Sequence, residues 1–492
     1  MEQGQQFSHL IYEYFCLRFH FGYYRFGDFL PPVNTFCQEF CVAPETVKNA
    51  LRRLRDEGYI DMGRGRMTRV LFEQSVQEQK NFFSEFFSVR WSALEDLYIS
   101  AELLFAPLET EGLRRMSLAE LEELSRLADR AGEDDLFHLY CSIIQKLENP
   151  LAMNFFWEVI LFQGFSLARW AHKPTQYSVA DVQNQARALL SAARERRWDC
   201  VQNTLINFQR VSLRRTTEFL IQQVQPLPKE QQIPFVWRIY HDRPQIYCNL
   251  TSRLLHEIYM GEYRHHSYLP PYAELAAKYN VSVNTIRRSV GILNQLGVAQ
   301  SINGKGTRIF PLGKRCNPPD FTDPIIRRNL AFYVQSFELV KLTCESVTRS
   351  VVTHMSQEEK EMLINQLDEN LRCGVCDISL WNCLLAITHH SPLQVVREFY
   401  RTAYSLFLWG YPLKASRDNI PFLDQSIVRF TEDMIWYLKE NNVERCASIF
   451  KELMEEKFGK AEAYLLKQGI RSEELWPSRT IRFFSLENGT ER

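Results

Sequence analysis

The strongest constraint on this chain is that it repeats itself. Residues 22–70 align without a gap on residues 261–309, at a constant offset of 239. Thirteen of the 49 aligned pairs are identical: Gly22/Gly261, Tyr24/Tyr263, Arg25/Arg264, Leu30/Leu269, Pro31/Pro270, Pro32/Pro271, Val42/Val281, Thr46/Thr285, Leu54/Leu293, Gly58/Gly297, Gly65/Gly304, Thr68/Thr307 and Arg69/Arg308. They cluster at turn and core positions. The offset is about half of the 492 residues, so the simplest account is a duplicated two-part unit, a compact module followed by a longer segment.

In the first copy the pattern predicts a helix over 7–21, ended by Gly22, then an extended Leu30-Pro31-Pro32, because residues before proline avoid the helical region. A short helix over 33–40 follows, then a turn at 41–42. Pro44 suits a first helical position, where its missing N–H costs nothing. A third helix over 46–57 turns Val47, Ala50, Leu51 and Leu54 inward and leaves Lys48, Asn49, Arg52 and Arg53 on other faces. Gly58 ends it. Residues 59–62 and 68–71 form a hairpin around Gly63-Arg64-Gly65-Arg66. The second copy has the same layout. Ser282 is a good N-cap where the first copy has Ala43, the third helix is VNTIRRSVGILNQL, Gly297 ends it, and the hairpin tip is Asn303-Gly304-Lys305-Gly306.

Helix, short helix, turn, helix and hairpin is the element order of a winged helix-turn-helix. A helix of this width enters the major groove, and its exposed N-terminal residues reach base edges. A glycine at the wing tip lets backbone approach the sugar-phosphate, with Arg or Lys beside it neutralising phosphates. The expected DNA contacts are therefore Thr46, Lys48, Asn49, Arg52, Arg64, Gly65 and Arg66 in the first copy. In the second they are Ser282, Asn284, Thr285, Arg287, Arg288, Gly304 and Lys305. Net charge over the whole chain is −1, from 58 basic and 59 acidic residues, which excludes a globally basic coat. Locally the balance differs. Residues 44–70 carry seven Lys/Arg against four Asp/Glu, and residues 245–315 carry nine against three.

Both copies resemble the winged-helix domain of the GntR family of bacterial transcription regulators. The shared signature is Gly-x-Tyr, Leu-Pro, Val-x-x-x-Thr-Val/Ile-Lys/Arg, Leu-x-x-x-Gly and a Gly-bearing wing. The second copy, with GEY, YLPPYAELAAKYNVSVNTIRRSV and NGKGTRI, is the nearer match. The resemblance implies double-stranded DNA as partner. Two departures alter what carries over. The acidic-basic pair that the family has after Leu-Pro-x is Val33-Asn34 and Tyr272-Ala273 here, and the family's Arg opening the recognition helix is Pro44 and Val283. The later basic position is kept as Lys48 and Arg287. The family's base preferences are therefore not transferred. A rival reading is a protein-interaction scaffold whose winged helices no longer read DNA; in the first copy Glu45 would face phosphates.

The longer segments are dense in helix formers at helical spacing, as in LAELEELSRLADRAG. The expected fold class is mainly α: two winged helix-turn-helix domains, each followed by an all-helical bundle. The expected boundaries are 1–75 and 76–225 for the first module and bundle, a Pro-rich linker at 226–243, then 244–313 and 320–492 for the second pair. Asp134-Asp135-Leu136-Phe137-His138 followed by Asn149-Pro150-Leu151 resembles the effector-binding domains of the FadR/FCD type. That resemblance implies a small-molecule effector and offers Asp134 and His138 as metal ligands. No histidine falls across 178–215, where further ligands belong, and two ligands do not make a site, so no metal is expected. Cys373, Cys376 and Cys383 with His389 and His390 match no zinc-knuckle spacing and read as core cysteines in a helical run. Phe82, Phe83, Phe86 and Phe87 read as a packing stripe.

Composition sets the outer limits. Apolar residues are 45% and charged residues 24%, which suits globular domains. The start MEQGQQFSHL lacks a signal-peptide pattern, no apolar run is long enough to span a bilayer, and 12 scattered cysteines form no disulfide framework. The expectation is a cytoplasmic protein that touches no membrane. No P-loop, nucleophile elbow, dinucleotide fingerprint or HExxH occurs, so neither an enzyme nor a cofactor is expected. The reading is a regulator acting as a covalent pseudo-dimer, with a homodimer of whole chains as a further assembly the architecture admits.

Overall fold

The computed structural model describes residues 2–40, 42–63, 65–130, 135–164, 179–239, 245–414 and 424–476. The chain divides into two compact units, chiefly residues 1–241 and chiefly residues 242–477. Both are mostly helical, and the strands occur as two small antiparallel hairpins among the described residues.

The first unit opens with α1 (Glu2–His20), which starts well before the expected residue 7. Leu10, Ile11, Tyr14, Phe15 and Phe19 recur at helical spacing and are fully buried. Phe36 of α2 (Val33–Phe40) packs edge-on against Phe15. Helix α3 (Pro44–Asp56) opens on Pro44, the residue suited to a first helical position. Its apolar stripe of Val47, Ala50, Leu51 and Leu54 is buried. Strands β1 (Ile60–Asp61) and β2 (Arg69–Val70) pair Ile60 with Val70 and Asp61 with Arg69, while Phe29 bridges the other edge of Arg69. The paired part of this hairpin is shorter than the sequence suggested.

A capping box of Ser75 and Glu78 then launches α4 (Val76–Ser88). Its Phe82 and Phe86 pack against Phe21, which seats the helical part on the module. Helix α5 (Trp91–Arg114) lies along α10 (Trp198–Gln223). Between them α6 (Leu118–Arg130), α7 (Asp135–Gln145) and α9 (Val179–Arg194) contribute Leu121, Leu139, Ile143 and Leu190 to a common core. Helix α8 (Pro150–Gln163) is capped by Asn149 and buries Trp157 against Phe40, ring centroids 4.4 Å apart.

The second unit repeats the order with α11 (Gln245–Tyr259), α12 (Tyr272–Tyr279), α13 (Val283–Gln295), β3 (Ala299–Ile302) and β4 (Gly306–Ile309). Tyr268 bridges Arg308 just as Phe29 bridges Arg69, 239 residues earlier. Asp323 caps the long α14 (Pro324–His354), which pairs with α20 (Val443–Lys467). Around them stand α15 (Gln357–Arg372), α16 (Ser379–His390), α17 (Gln394–Phe407), the short α18 (Tyr411–Lys414), α19 (Gln425–Lys439) and the terminal turn α21 (Ser472–Leu475). Trp409 Nε1 donates to Ser252 Oγ at 2.8 Å, tying α11 to this bundle.

The two helical parts also echo each other locally. Ser117 and Glu120 cap α6 reciprocally, and Ser356 and Glu359 do the same for α15, again 239 residues apart. The turn between α9 and α10 carries Arg196 at φ 55°, and the turn between α19 and α20 carries Asn441 at φ 53°. Of the cysteines read as core, Cys376 and Cys383 are buried. Cys373 is exposed, because it caps the end of α15 instead of lying within a helix. No helix among the described residues is long and apolar enough to cross a membrane.

Candidate nucleic-acid interface

The site is built around α13. Ser282 stands at its N-cap with extended backbone, and its Oγ accepts the Thr285 N–H at 3.1 Å. The Thr285 hydroxyl lies 2.8 Å from the same Oγ. This fixes the first turn, where a recognition helix meets base edges. Ile286, Ser289, Val290 and Leu293 are buried and hold the helix to its module. Asn284, Arg287 and Arg288 fall on the exposed side. Neither arginine forms an ion pair among the described residues; Arg288 rests 6.0 Å from the Tyr247 ring centre. Gly297 ends the helix at φ 75°, and a Cβ there would sit 2.0 Å from the Asn317 carbonyl oxygen, so only glycine fits.

The wing follows directly. Strands β3 and β4 pair Ala299 with Ile309 through to Ile302 with Gly306. At the tip Gly304 has φ 74°, and a Cβ built on it meets nothing within 4 Å, so this glycine leaves open space at the surface. Lys305 is exposed beside it and has no ion-pair partner among the described residues. The base of the wing is held by Asn294, whose amide donates to Ser301 Oγ at 3.0 Å.

The same positions in the first unit have different chemistry. Ala43 at the N-cap of α3 offers no side-chain hydrogen bond. Thr46 was expected among the DNA contacts, and this is corrected: it is only 5% exposed. Residues 46, 50 and 54 lie one helical turn apart on the buried face, so Thr46 presents nothing outward. Lys48, Asn49 and Arg52 are exposed. Arg52 is committed, however. It donates to Glu45 Oε1 at 2.8 Å and to Asn49 Oδ1, and its hydrogen bond and charge hold the Glu45 carboxyl below the ordinary range. Arg53 pairs with Glu57 at 3.0 Å and covers the Tyr12 ring at 3.6 Å. Arg55 pairs with Asp56 at 2.7 Å. Lys48 is left without an ion pair among the described residues of this helix. Gly65 keeps φ 70° and Arg66 is exposed, whereas Arg64 lies outside the described residues.

Sequence reasoning passed over Phe26, Phe29 and Met67, which stand exposed beside the first hairpin. The gap-free alignment held the signal, since Met67 falls opposite Gly306. Of the two metal candidates, Asp134 lies outside the described residues, as does the side chain of His138. Among the described residues no group of three or more His, Cys, Asp or Glu is placed to hold a metal ion.

Two solved structures are similar to this chain. One is Streptococcus agalactiae GntR, 18% identical, matched over 43% of this chain and 99% of that one with a TM-score of 0.21. The other is of Lar, which controls expression of the Listeria monocytogenes agr system and mediates virulence; it is 16% identical over 50% of this chain and 100% of that one, with a TM-score of 0.16. No curated protein matches. Residues 246–309, the span of α11 through β4 described above, match the family of bacterial regulatory proteins, gntR family, and form a GntR helix-turn-helix domain.

Proposed function

We propose that this chain is a sequence-specific, double-stranded-DNA-binding transcription regulator whose reading helix is α13. The observation that carries the reading is the pair Arg287 and Arg288. Both stand uncommitted on the exposed side of a capped helix, next to a glycine-tipped wing with Lys305. An uncommitted guanidinium reaches guanine O6 and N7 or a phosphate without first breaking an ion pair. Asn284, in the first turn, supplies an amide of the kind that pairs with adenine.

The repeat at offset 239 in modules, capping boxes and hairpin bridges favours a covalent pseudo-dimer, one chain carrying two related modules. Covalent linkage raises the effective concentration of the second module once the first is bound, and it frees the target from being a palindrome. In this reading the helical parts hold the modules, take up a small effector or join two chains. An effector would act through differential affinity for the DNA-competent arrangement. For α3 the ion pairs favour a helix that no longer reads bases.

The test is retention of the full chain on duplex DNA at rising salt. A reader loses affinity steeply as counterions are displaced. Arg287→Ala with Arg288→Ala should shift release to markedly lower salt. Retention that ignores both salt and this double substitution would refute the proposal.

A further inference from the structure

We infer that the hairpin face of the first unit is a minor-groove wedge for duplex DNA, made of Phe26, Phe29 and Met67 set among Arg25, Arg66 and Arg69. The inference rests on the DNA-binding reading above and adds a second, chemically different contact to it.

Three large apolar side chains stand in water on one small surface. Phe26 and Phe29 are each 54% exposed and Met67 is 64% exposed. Two of them adjoin Arg69. Its guanidinium carbon lies 5.8 Å from the Phe26 ring centre, Phe29 is its antiparallel neighbour across the strand edge, and Met67 precedes it by two residues. Arg25 adjoins Phe26 and Arg66 adjoins Met67, both exposed. None of the three arginine side chains makes an ion pair or hydrogen bond among the described residues. Two carboxylates border the patch. Asp28 Oδ2 is occupied by the Arg25 backbone N–H at 2.8 Å, and Asp61 sits opposite Arg69 without closing a pair with it.

The second unit shows what the same scaffold looks like with another tip. The counterparts of Phe26, Phe29 and Met67 are His265, Tyr268 and Gly306. Gly306 has φ 96° and no side chain, whereas Met67 is not among the positive-φ residues and projects a flexible thioether. One hairpin lets backbone come close to its ligand; the other presents apolar bulk.

Arginines interleaved with exposed aromatic and thioether groups fit the minor groove at a flexible pyrimidine–purine step. There the apolar side chains unstack the bases and the guanidiniums meet the flanking phosphates and groove edges. The α3 arginines are tied to Glu45, Glu57 and Asp56, which leaves Lys48 and the three hairpin arginines as cations of this module without an ion pair among the described residues. Apolar side chains alone would fit a protein partner equally well. The three uncommitted guanidiniums favour the polyanion.

The experiment uses the full chain and a duplex it has selected from a random pool, with a fluorescent adenine analogue placed in turn at each T-A step. Binding of the unaltered protein should brighten the probe at one step, reporting unstacking. Met67→Gly with Phe29→Ala should abolish the brightening and lower affinity about tenfold. Met67→Leu, which keeps the apolar volume, should preserve both. Arg287→Ala with Arg288→Ala should instead weaken binding across all selected duplexes. If the chain binds its duplex and loses it with the arginine substitutions, yet Met67→Gly with Phe29→Ala changes neither brightness nor affinity, the wedge is refuted and the regulator reading stands. If those two apolar substitutions alter only the oligomeric state, the patch is a protein contact and the wedge is equally refuted. Failure of the unaltered chain to bind any duplex removes both proposals.

Discussion

Helices α3 and α13 occupy the same place in their modules and bury the same stripe, yet their arginines do opposite things. In α3 the guanidiniums of Arg52, Arg53 and Arg55 are each matched by a carboxylate within 3.0 Å. In α13 the counterpart of Glu45 is Asn284, and neither Arg287 nor Arg288 has a carboxylate partner among the described residues. A count of basic residues treats both helices as reading heads. What separates them is whether each guanidinium has a carboxylate in reach: Glu45 two turns from Arg52, Glu57 one turn from Arg53, and Asp56 next to Arg55 in the chain.

Within the modules the largest effect should come where the helices are alike. Leu54 and Leu293 are both fully buried. Leu54→Ala and Leu293→Ala should each cost about 3 kcal/mol by chemical denaturation. A much smaller cost at one site would mean that the two helices are not seated alike. The exposed arginine pairs, which do not align with each other, break the symmetry: Arg287 and Arg288 fall opposite Lys48 and Asn49, and Arg52 and Arg53 opposite Gly291 and Ile292. Arg287→Ala with Arg288→Ala should lower affinity for the selected duplex about 100-fold and flatten the salt dependence by about two phosphate contacts. Arg52→Ala with Arg53→Ala should change it less than about threefold, since those charges are already neutralised locally. Equal losses in the two binding titrations would show that α3 reads DNA after all.

The helical parts offer a comparison through pH. Glu109 in α5 is 3% exposed, its Oε2 has no hydrogen-bond partner, and burial pushes its carboxyl up to about 8. Thr348, its counterpart at offset 239, is buried and cannot titrate. Between pH 4.5 and about 8 the unfolded chain has released the Glu109 proton while the folded chain keeps it, so stability falls as pH rises through that window. Glu109→Gln should remove this fall and gain about 4 kcal/mol at pH 8, and close to none at pH 4. Thermal unfolding followed at both pH values would check it; an identical pH profile in the variant would mean that the carboxyl is solvated. The smallest effects belong to the caps. Ser282→Ala should cost about 1 kcal/mol, and Ala43→Ser should gain about 0.5 kcal/mol, because only the second-unit helix has a side-chain cap.

Much of the fold was legible because its determinants are local. The Pro44 start, the left-handed Gly22, Gly58 and Gly297, the Ser282 cap and the 3.6-residue burial pattern need only neighbouring residues to be read. The start of α1 was missed because nothing in the polar stretch at residues 2–6 marks a boundary. The inward face of Thr46 was missed because a threonine near a helix start fits either side of it. The short pairing of the first hairpin was missed because nothing local marks it: Tyr268 bridges Arg308 as Phe29 bridges Arg69, yet the second hairpin pairs over four residues a strand.

From its letters alone this chain gave a mainly helical fold and a gap-free likeness of residues 22–70 to 261–309, since periodicity, caps and glycines act through the backbone within a few residues. Which charges are spent and which are available, and which apolar groups face water, was decided only in three dimensions. Ion pairing and burial depend on side-chain direction and distance, and a tally of residue types contains neither.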